Sequence, residues 1–111
     1  AGALRAAERP FDAAEFEAAQ RAGKPVLVSV HADWCPACRV QEEILWDLLA
    51  RKEFAGFSVF RLDFDLQKKE LKRFGVRTQS TLIVFKGNKE VARSIAKTNK
   101  DAIAADLTKA L

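Results

Sequence analysis

The apolar run PVLVSVHA, residues 25–32, most constrains what this chain can fold into. It lacks the alternation of a half-exposed strand, and a continuous run rich in β-branched residues is typical of a central strand covered on both faces. Over residues 35–52 the apolar spacing becomes helical, with Val40, Ile44 and Leu48 four residues apart. A buried strand followed by an amphipathic helix indicates an α/β fold.

The remaining segments predict a mixed sheet flanked by helices. Asp12 and Glu15 form a capping-box pattern at the start of a helix that stops at Gly23. Later elements are a strand in 56–64, a short charged helix ending at Gly75, a hairpin around KGNK in 80–95 and a final helix capped by Thr98 or Asn99. The predicted order is α-β-α-β-α-β-β-α, and the helical crossover makes the first two strands parallel if they share a sheet.

Length and charge limit the classes of protein. With 111 residues, we expect one domain over 1–111, with a flexible N-terminal arm over 1–9. The net charge is +4, but both signs alternate through RLDFDLQKKELKRF, which argues against a nucleic-acid footprint. No apolar run approaches the roughly 18 residues of a membrane span. The Ala-rich start is compatible with the tail of a removed export signal or with an added segment, so it leaves the compartment open.

The only two cysteines, Cys35 and Cys38, stand in HADWCPACR at the turn from strand to helix. A helix N-terminus offers unpaired N–H groups and partial positive charge, which favour a thiolate at Cys35 and place Cys38 to attack a mixed disulfide. A structural disulfide across so short a loop would add little stability. Two cysteines and a nearby His31 fall short of a zinc site, although a metal shared between two chains stays open. The residues favour a redox pair.

These motifs resemble the thioredoxin family. ADWCPAC in its strand–helix–strand setting is followed, about forty residues later, by FGVRTQSTLIVFKG, and the similarity extends over residues 12–110. The resemblance implies a thioredoxin-like α/β fold and thiol–disulfide exchange. It makes Cys35 the attacking thiol, Cys38 the resolving thiol and Trp34 an aromatic wall beside them. It also implies substrate contacts from three consecutive residues, Gln79, Ser80 and Thr81.

Ser80 is the first departure from the family pattern. It replaces the cis-proline that faces the disulfide and guides the substrate backbone in the family. A cis bond before a non-proline residue costs about 2.5–4 kcal/mol, so we predict a trans Gln79–Ser80 bond and a locally reshaped loop. The N–H and hydroxyl of Ser80 can bond a cysteine sulfur, a substrate or a metal-bound ligand; the alternative is a plain turn residue.

Ser29 is the second departure. It replaces the buried acid that accepts the proton of the resolving cysteine in the family. A hydroxyl cannot take that proton at neutral pH, so slower deprotonation of Cys38 is expected unless water or another acid substitutes. Arg61 matches the basic partner of the family acid and is expected to pair elsewhere.

The third departure is the Pro36-Ala37 dipeptide, where typical thioredoxins carry Gly-Pro. It frees the Ala37 N–H to point at the Cys35 sulfur. We therefore predict a lower Cys35 pKa and a more oxidising couple than a Gly-Pro variant would have. His31 either adds positive charge near Cys35 when protonated or simply packs at the strand end.

The sequence thus predicts a thiol–disulfide oxidoreductase that needs no cofactor. Expected partners are a disulfide-containing protein and a recycling reductase, with a membrane thiol reductase as one candidate; no nucleic acid is expected, and the protein is expected to be a monomer. GKPVLVSVHADWCPAC also resembles periplasmic thioredoxin-like relatives, which favours a bacterial cell envelope over the cytoplasm.

Two alternative functions stay open. One is a chaperone-like binding module with a vestigial redox site, and the other is a metal or iron–sulfur protein that dimerises through Cys35 and Cys38.

Overall fold

Five strands form one mixed sheet in the computed structural model, which describes residues 8–111. The strands are β1 (Glu8–Pro10), β2 (Pro25–His31), β3 (Ser58–Asp63), β4 (Thr81–Lys86) and β5 (Lys89–Ile95). The helices are α1 (Ala13–Arg21), α2 (Pro36–Leu49), α3 (Lys68–Phe74) and α4 (Lys100–Thr108), and a short 3-10 helix spans Lys52–Phe54. This α/β arrangement of a sheet flanked by helices is the predicted fold class.

The apolar run that predicted a central strand lies in the middle of the sheet. The strand order is β1-β3-β2-β4-β5, with β2 parallel to β3 and antiparallel to β4. Val26, Val28 and Val30 enter a phenylalanine-rich core on one face, whereas Leu27 packs with α2 on the other. Because β2 contributes to two cores, its apolar residues occupy consecutive positions. The predicted parallel pairing across the α2 crossover is confirmed.

The hairpin predicted around KGNK joins β4 to β5. Gly87 has φ +60° and Asn88 is not among the residues with positive φ, which suits a two-residue type II′ turn with glycine first. The turn lies at the end of β2 far from the cysteines, because Pro25 is in register with Lys86. Lys86 and Lys89 flank this remote turn.

The predicted helix caps are present. The Asp12 carboxylate accepts the Glu15 N–H at 2.9 Å and begins α1. Asn99, and not Thr98, caps α4 by accepting a backbone N–H at 2.9 Å. None of the helices within residues 8–111 is long and apolar enough to cross a membrane.

The end of the predicted N-terminal arm belongs to the sheet. Glu8–Pro10 form β1, whose residues pair in parallel with β3, so the arm predicted over 1–9 is wrong at Glu8 and Arg9. Three residues without apolar alternation carry no strand signal, and their partner comes much later in the chain. Pro10 is tolerated because β1 is an edge strand. Residues 1–7 of the predicted arm lie outside the described residues.

The buried face of α2 differs from the predicted one. Val40, assigned to the apolar stripe, is 46% exposed. The buried positions are Cys38, Gln41, Leu45 and Leu48. The buried face of α2 therefore includes a glutamine. Because the prediction considered only apolar residues, it placed Val40 on this face in place of Gln41.

Candidate active site

The two cysteines lie where the central strand passes into α2. Cys35 is the N-cap residue of α2, and its Sγ accepts the backbone N–H of Cys38 at 3.2 Å. Pro36 follows in the first turn, where a missing N–H costs the helix no hydrogen bond. Both cysteines are free thiols, and they are 2% and 3% exposed. The predicted placement of the pair at a helix start is confirmed.

The hydroxyl of Ser80 lies between the two sulfurs. Its Oγ is 3.1 Å from Cys35 Sγ and 3.2 Å from Cys38 Sγ. The residue is buried, so bulk water does not compete for these bonds. A hydroxyl carries one proton, and it can therefore donate to only one sulfur at a time while it accepts from the other. The hydrogen bond to sulfur that the sequence allowed for Ser80 is present.

The backbone of Ser80 explains why this position does not suit proline. Its φ is +66°, in the left-handed region, which costs a residue with a Cβ roughly 1–2 kcal/mol. Its N–H donates to the Val30 carbonyl at 2.9 Å. Proline would fix φ near −65° and would have no N–H to donate. The bond between Gln79 and Ser80 is trans, as predicted, and the positive φ is the local change in the loop.

Gln41 holds this loop from α2. Its Nε2 donates to the Ser80 carbonyl at 3.0 Å and to the Lys97 carbonyl at 2.8 Å. The Ser80 carbonyl also accepts the N–H of Ala96, a second residue in the left-handed region, with φ +56°. One buried amide group thus joins two loops that each contain a strained residue. Gln41 was not predicted to be a site residue; its only sequence signal was a polar residue one turn beyond Cys38.

The two thiols differ in acid strength. Burial raises the pKa of Cys35, but hydrogen bonds from Cys38, the Ser80 hydroxyl and the Ala37 N–H outweigh it and bring this pKa below that of an ordinary thiol. Burial and the bonded neighbour Cys35 raise the pKa of Cys38, against a lowering contribution from Ser80. Cys35 therefore becomes a thiolate at a lower pH than Cys38. The Ala37 N–H, expected from the Pro-Ala order, is the smallest of these lowering contributions, and the Cys38 N–H is the backbone donor at 3.2 Å.

Trp34 lies on the surface beside the pair. It is 57% exposed, and its Nε1 donates to the Asp65 carboxylate at 2.9 Å. Its ring meets Phe64 edge-on at 6.4 Å, and Phe64 packs against the cluster of Ala32, Cys35 and Cys38. The aromatic surface near the sulfurs therefore has two members, of which only Trp34 was predicted.

Ser29 and Arg61 lie opposite each other on β2 and β3. This is the arrangement expected if Ser29 stands at the position of the family acid and Arg61 at the position of its basic partner. Arg61 contacts the carboxylates of Glu8, Asp33 and Glu42 at 3.6, 3.5 and 3.6 Å. This confirms that Arg61 pairs elsewhere when Ser29 replaces the acid. Burial and the Glu42 charge raise the pKa of Glu8, although Arg61 opposes the rise.

His31 is packed at the end of β2. Its Nε2 lies 3.1 Å from Asp33 Oδ1 and its Nδ1 lies 3.4 Å from Glu42 Oε2. Its side chain is only 11% exposed. Of the two roles considered for it, the structure fits the packed strand-end histidine.

The two predicted substrate contacts beside Ser80 have different surroundings. Thr81 is buried, and its hydroxyl donates to the Thr78 carbonyl at 2.8 Å. Gln79 is half-buried. Contact of either residue with a substrate stays a prediction. Within residues 8–111, no group of three or more His, Cys, Asp or Glu side chains is placed to hold a metal ion.

The fold and the site together define a class of protein. The two thiols have C-x-x-C spacing at a helix N-terminus, and the pKa of Cys35 is lowered. Such a pair can cycle between a dithiol and a disulfide. That chemistry on an α/β fold with a central mixed sheet is typical of a thiol–disulfide oxidoreductase.

Comparison with known proteins identifies the family. The thioredoxin family profile matches residues 9–109, and the chain belongs to the thioredoxin family. It is 33% identical over 98 residues to the thioredoxin of Alicyclobacillus acidocaldarius subsp. acidocaldarius, which covers 88% of this chain and 92% of that protein. It is 31% identical over 97 residues to the bifunctional thioredoxin reductase/thioredoxin of Mycobacterium leprae, over 87% of this chain and 21% of that protein.

A solved structure gives the same result. The crystal structure of Trxlp from Edwardsiella tarda EIB202 is 44% identical in sequence, covers 90% of this chain and 97% of that one, and superposes with a TM-score of 0.88. The predicted thioredoxin-like fold and thiol–disulfide oxidoreductase activity are confirmed. Membership of the family also implies disulfide substrates and a thioredoxin reductase as partner.

Proposed function

We propose that Cys35 is the attacking thiol and Cys38 the resolving thiol of the exchange reaction. The observation that carries this assignment is the asymmetry at the N-terminus of α2. Cys35 Sγ accepts the Cys38 N–H at 3.2 Å, and its pKa is lowered despite burial. Cys38 lies one turn into the helix and has a raised pKa because of burial and its thiol neighbour. The more acidic thiol reacts first, since the thiolate is the nucleophile.

In the first step the Cys35 thiolate attacks one sulfur of a substrate disulfide. A Cys35–substrate disulfide forms, the substrate S–S bond breaks, and the other substrate sulfur leaves as a thiolate that takes a proton from water. Before the attack, the Ser80 hydroxyl donates to the Cys35 thiolate and accepts from the Cys38 thiol, an arrangement that its distances of 3.1 and 3.2 Å allow. Hydrogen bonds to charged groups contribute about 1.5–3 kcal/mol each, so this donor favours the reactive form.

In the second step Cys38 loses its proton to water and attacks Cys35 Sγ. The Cys35–Cys38 disulfide forms, the Cys35–substrate S–S bond breaks, and the second substrate sulfur leaves as a thiolate that takes a proton from water. Two electrons have then passed from the protein to the substrate. Once Cys35 is bonded to the substrate its sulfur carries no charge, and the Ser80 hydroxyl is then free to donate to the Cys38 thiolate. Ser80 thus serves both steps, and it supports Cys38 where Ser29 offers no proton acceptor.

We propose further that the protein acts as a monomer and is recycled by a membrane thiol reductase of a bacterial cell envelope. The support is the likeness of residues 23–38 to periplasmic relatives. Light scattering should give the mass of one chain. Oxidised protein should be reduced by bacterial inner-membrane vesicles to which no soluble thioredoxin reductase or NADPH is added; vesicles that leave its disulfide intact would contradict the membrane route.

The assignment of the cysteines is tested by trapping. Reduced Cys38→Ser protein is mixed with a disulfide-bridged peptide, and the products are separated without reductant and weighed by mass spectrometry. We expect a stable adduct in which the peptide is linked to Cys35. The matched Cys35→Ser variant keeps the other thiol and should form little adduct. Adducts of equal amount in both variants would contradict the proposed order of attack.

A further inference from the structure

A cationic groove lies beside the redox pair. It has a volume of about 500 Å³ and lies between the end of β3, α3 and the loop that leads to Ser80. Its floor is apolar, from Phe64, Leu71 and Val76, and its rim carries Lys68, Lys72 and Arg77. We call this feature the α3 groove.

The rim charges lack acidic partners. No acidic residue lines the α3 groove, and within residues 8–111 none of the three rim cations forms an ion pair. The adjacent Arg73 differs, because it pairs with Glu17 and Glu70 on another face of the helix. Arg73 is therefore paired with carboxylates on one face of α3, whereas the cations at the groove have no acidic partner, and Lys68 Nζ lies 4.6 Å from the centre of the Phe64 ring. An uncompensated cationic surface attracts anionic partners and increases their encounter rate.

The α3 groove is linked to the surroundings of the sulfurs by one shared side chain, that of Phe64. Phe64 forms part of its floor and also packs against the buried cluster that contains Cys35 and Cys38. Arg77 is three residues before Ser80, and three residues span at most about 11 Å. A peptide whose disulfide reaches Cys35 thus needs only a few further residues to extend into the groove.

We propose that the α3 groove binds an acidic segment of the substrate protein next to its disulfide. Apolar side chains of the segment would contact the floor, and Asp or Glu side chains would pair with Lys68, Lys72 and Arg77. The inference rests on the exchange reaction proposed for Cys35 and Cys38, because the groove would present substrates to that pair. Exposed ion pairs are individually weak, so three of them together should change binding on the order of tenfold.

The test uses two bridged peptides that differ only in charge. One carries Asp and Glu beside its disulfide, and the other carries Asn and Gln at the same positions. At low salt we expect wild-type protein to reduce the acidic peptide with a kcat/KM about tenfold higher than the neutral one, mainly through KM. The ratio should approach one at high salt, since exposed charges are screened.

Charge-reversal variants locate the effect. The double variant Lys72→Glu, Arg77→Glu should reverse the preference between the two peptides. Lys89→Glu, at the remote hairpin turn, makes the same kind of charge change away from the groove and should keep the wild-type preference. Equal kcat/KM for both peptides in wild type, or the same loss of preference in Lys89→Glu, would overturn the groove proposal. Failure to reduce even the neutral peptide would instead overturn the proposed exchange reaction.

Discussion

The buried amide of Gln41 donates to the backbone carbonyl of Ser80 at 3.0 Å, and it thereby fixes the residue whose hydroxyl bonds both sulfurs. The same nitrogen donates to the Lys97 carbonyl at 2.8 Å. In this chain a glutamine on the second turn of α2 determines the position of a hydroxyl in the redox site. Gln41 is a positioning residue, because it acts on the thiols only through Ser80.

Gln41→Leu removes both hydrogen bonds while it keeps a side chain of similar length. The Ser80 carbonyl keeps the N–H of Ala96, but the Lys97 carbonyl loses its Gln41 donor. An unpaired carbonyl costs about 1–3 kcal/mol, so the free energy of unfolding should fall by roughly 2 kcal/mol. The Cys35 pKa, followed by thiolate absorbance, should rise because the Ser80 hydroxyl is less well placed.

A core variant in the same helix separates positioning from general destabilisation. Leu48→Ala empties a fully buried site in α2 and should cost about 2–5 kcal/mol. It touches neither Ser80 nor the sulfurs, so the Cys35 pKa should stay as in wild type. An equal rise of this pKa in both variants would show that Gln41 has no specific role.

Two substitutions at Ser80 separate the hydroxyl from the backbone strain. Ser80→Ala and Ser80→Gly both remove the hydroxyl, so both should raise the Cys35 pKa to the same extent. Only glycine adopts the φ of +66° without strain, so Ser80→Gly should be more stable than Ser80→Ala by roughly 1–2 kcal/mol. Thiolate titration and chemical unfolding measure the two effects. An unchanged Cys35 pKa in both variants would exclude the proposed donor role.

The stability of the reduced protein should depend on pH through Cys35. Its pKa in the folded protein lies below the ordinary thiol value of about 8.5, so the stabilisation is fully present above pH 8.5 and is lost as the pH falls through the folded-state pKa. The difference in unfolding free energy between reduced wild type and Cys35→Ser should therefore increase as the pH rises towards about 8.5. A difference that shrinks over this range would mean that the Cys35 pKa is raised.

The sequence predicted those parts of the fold that depend on local patterns. The apolar run of β2, the cap at Asp12 and the turn at Gly87 each depend on neighbouring residues, and each is present in the structure. β1 was missed because its pairing with β3 depends on residues remote in the chain. Val40 was placed on the wrong face because polar Gln41 occupies the buried position.

The site was predicted in the same uneven way. Cys35, Cys38 and Ser80 could be assigned from motif spacing and from a mismatch with the family pattern. The contact of one hydroxyl with both sulfurs could not, since it depends on the φ of Ser80 and on where α2 lies against the loop. The position of Phe64 beside the cysteines and the existence of the α3 groove could not be predicted either, because the residues that form them come from separate elements.

The central claim is that Cys35 and Cys38 together pass two electrons to a substrate disulfide. The most direct measurement mixes reduced protein with an equimolar bridged peptide without other reductants and weighs both products. Wild-type protein should lose two hydrogen atoms as its own disulfide forms, and the peptide should gain two, whereas Cys35→Ser should leave the peptide bridged. A wild-type protein that stays reduced, or a Cys35→Ser variant that opens the peptide as quickly, would contradict the claim.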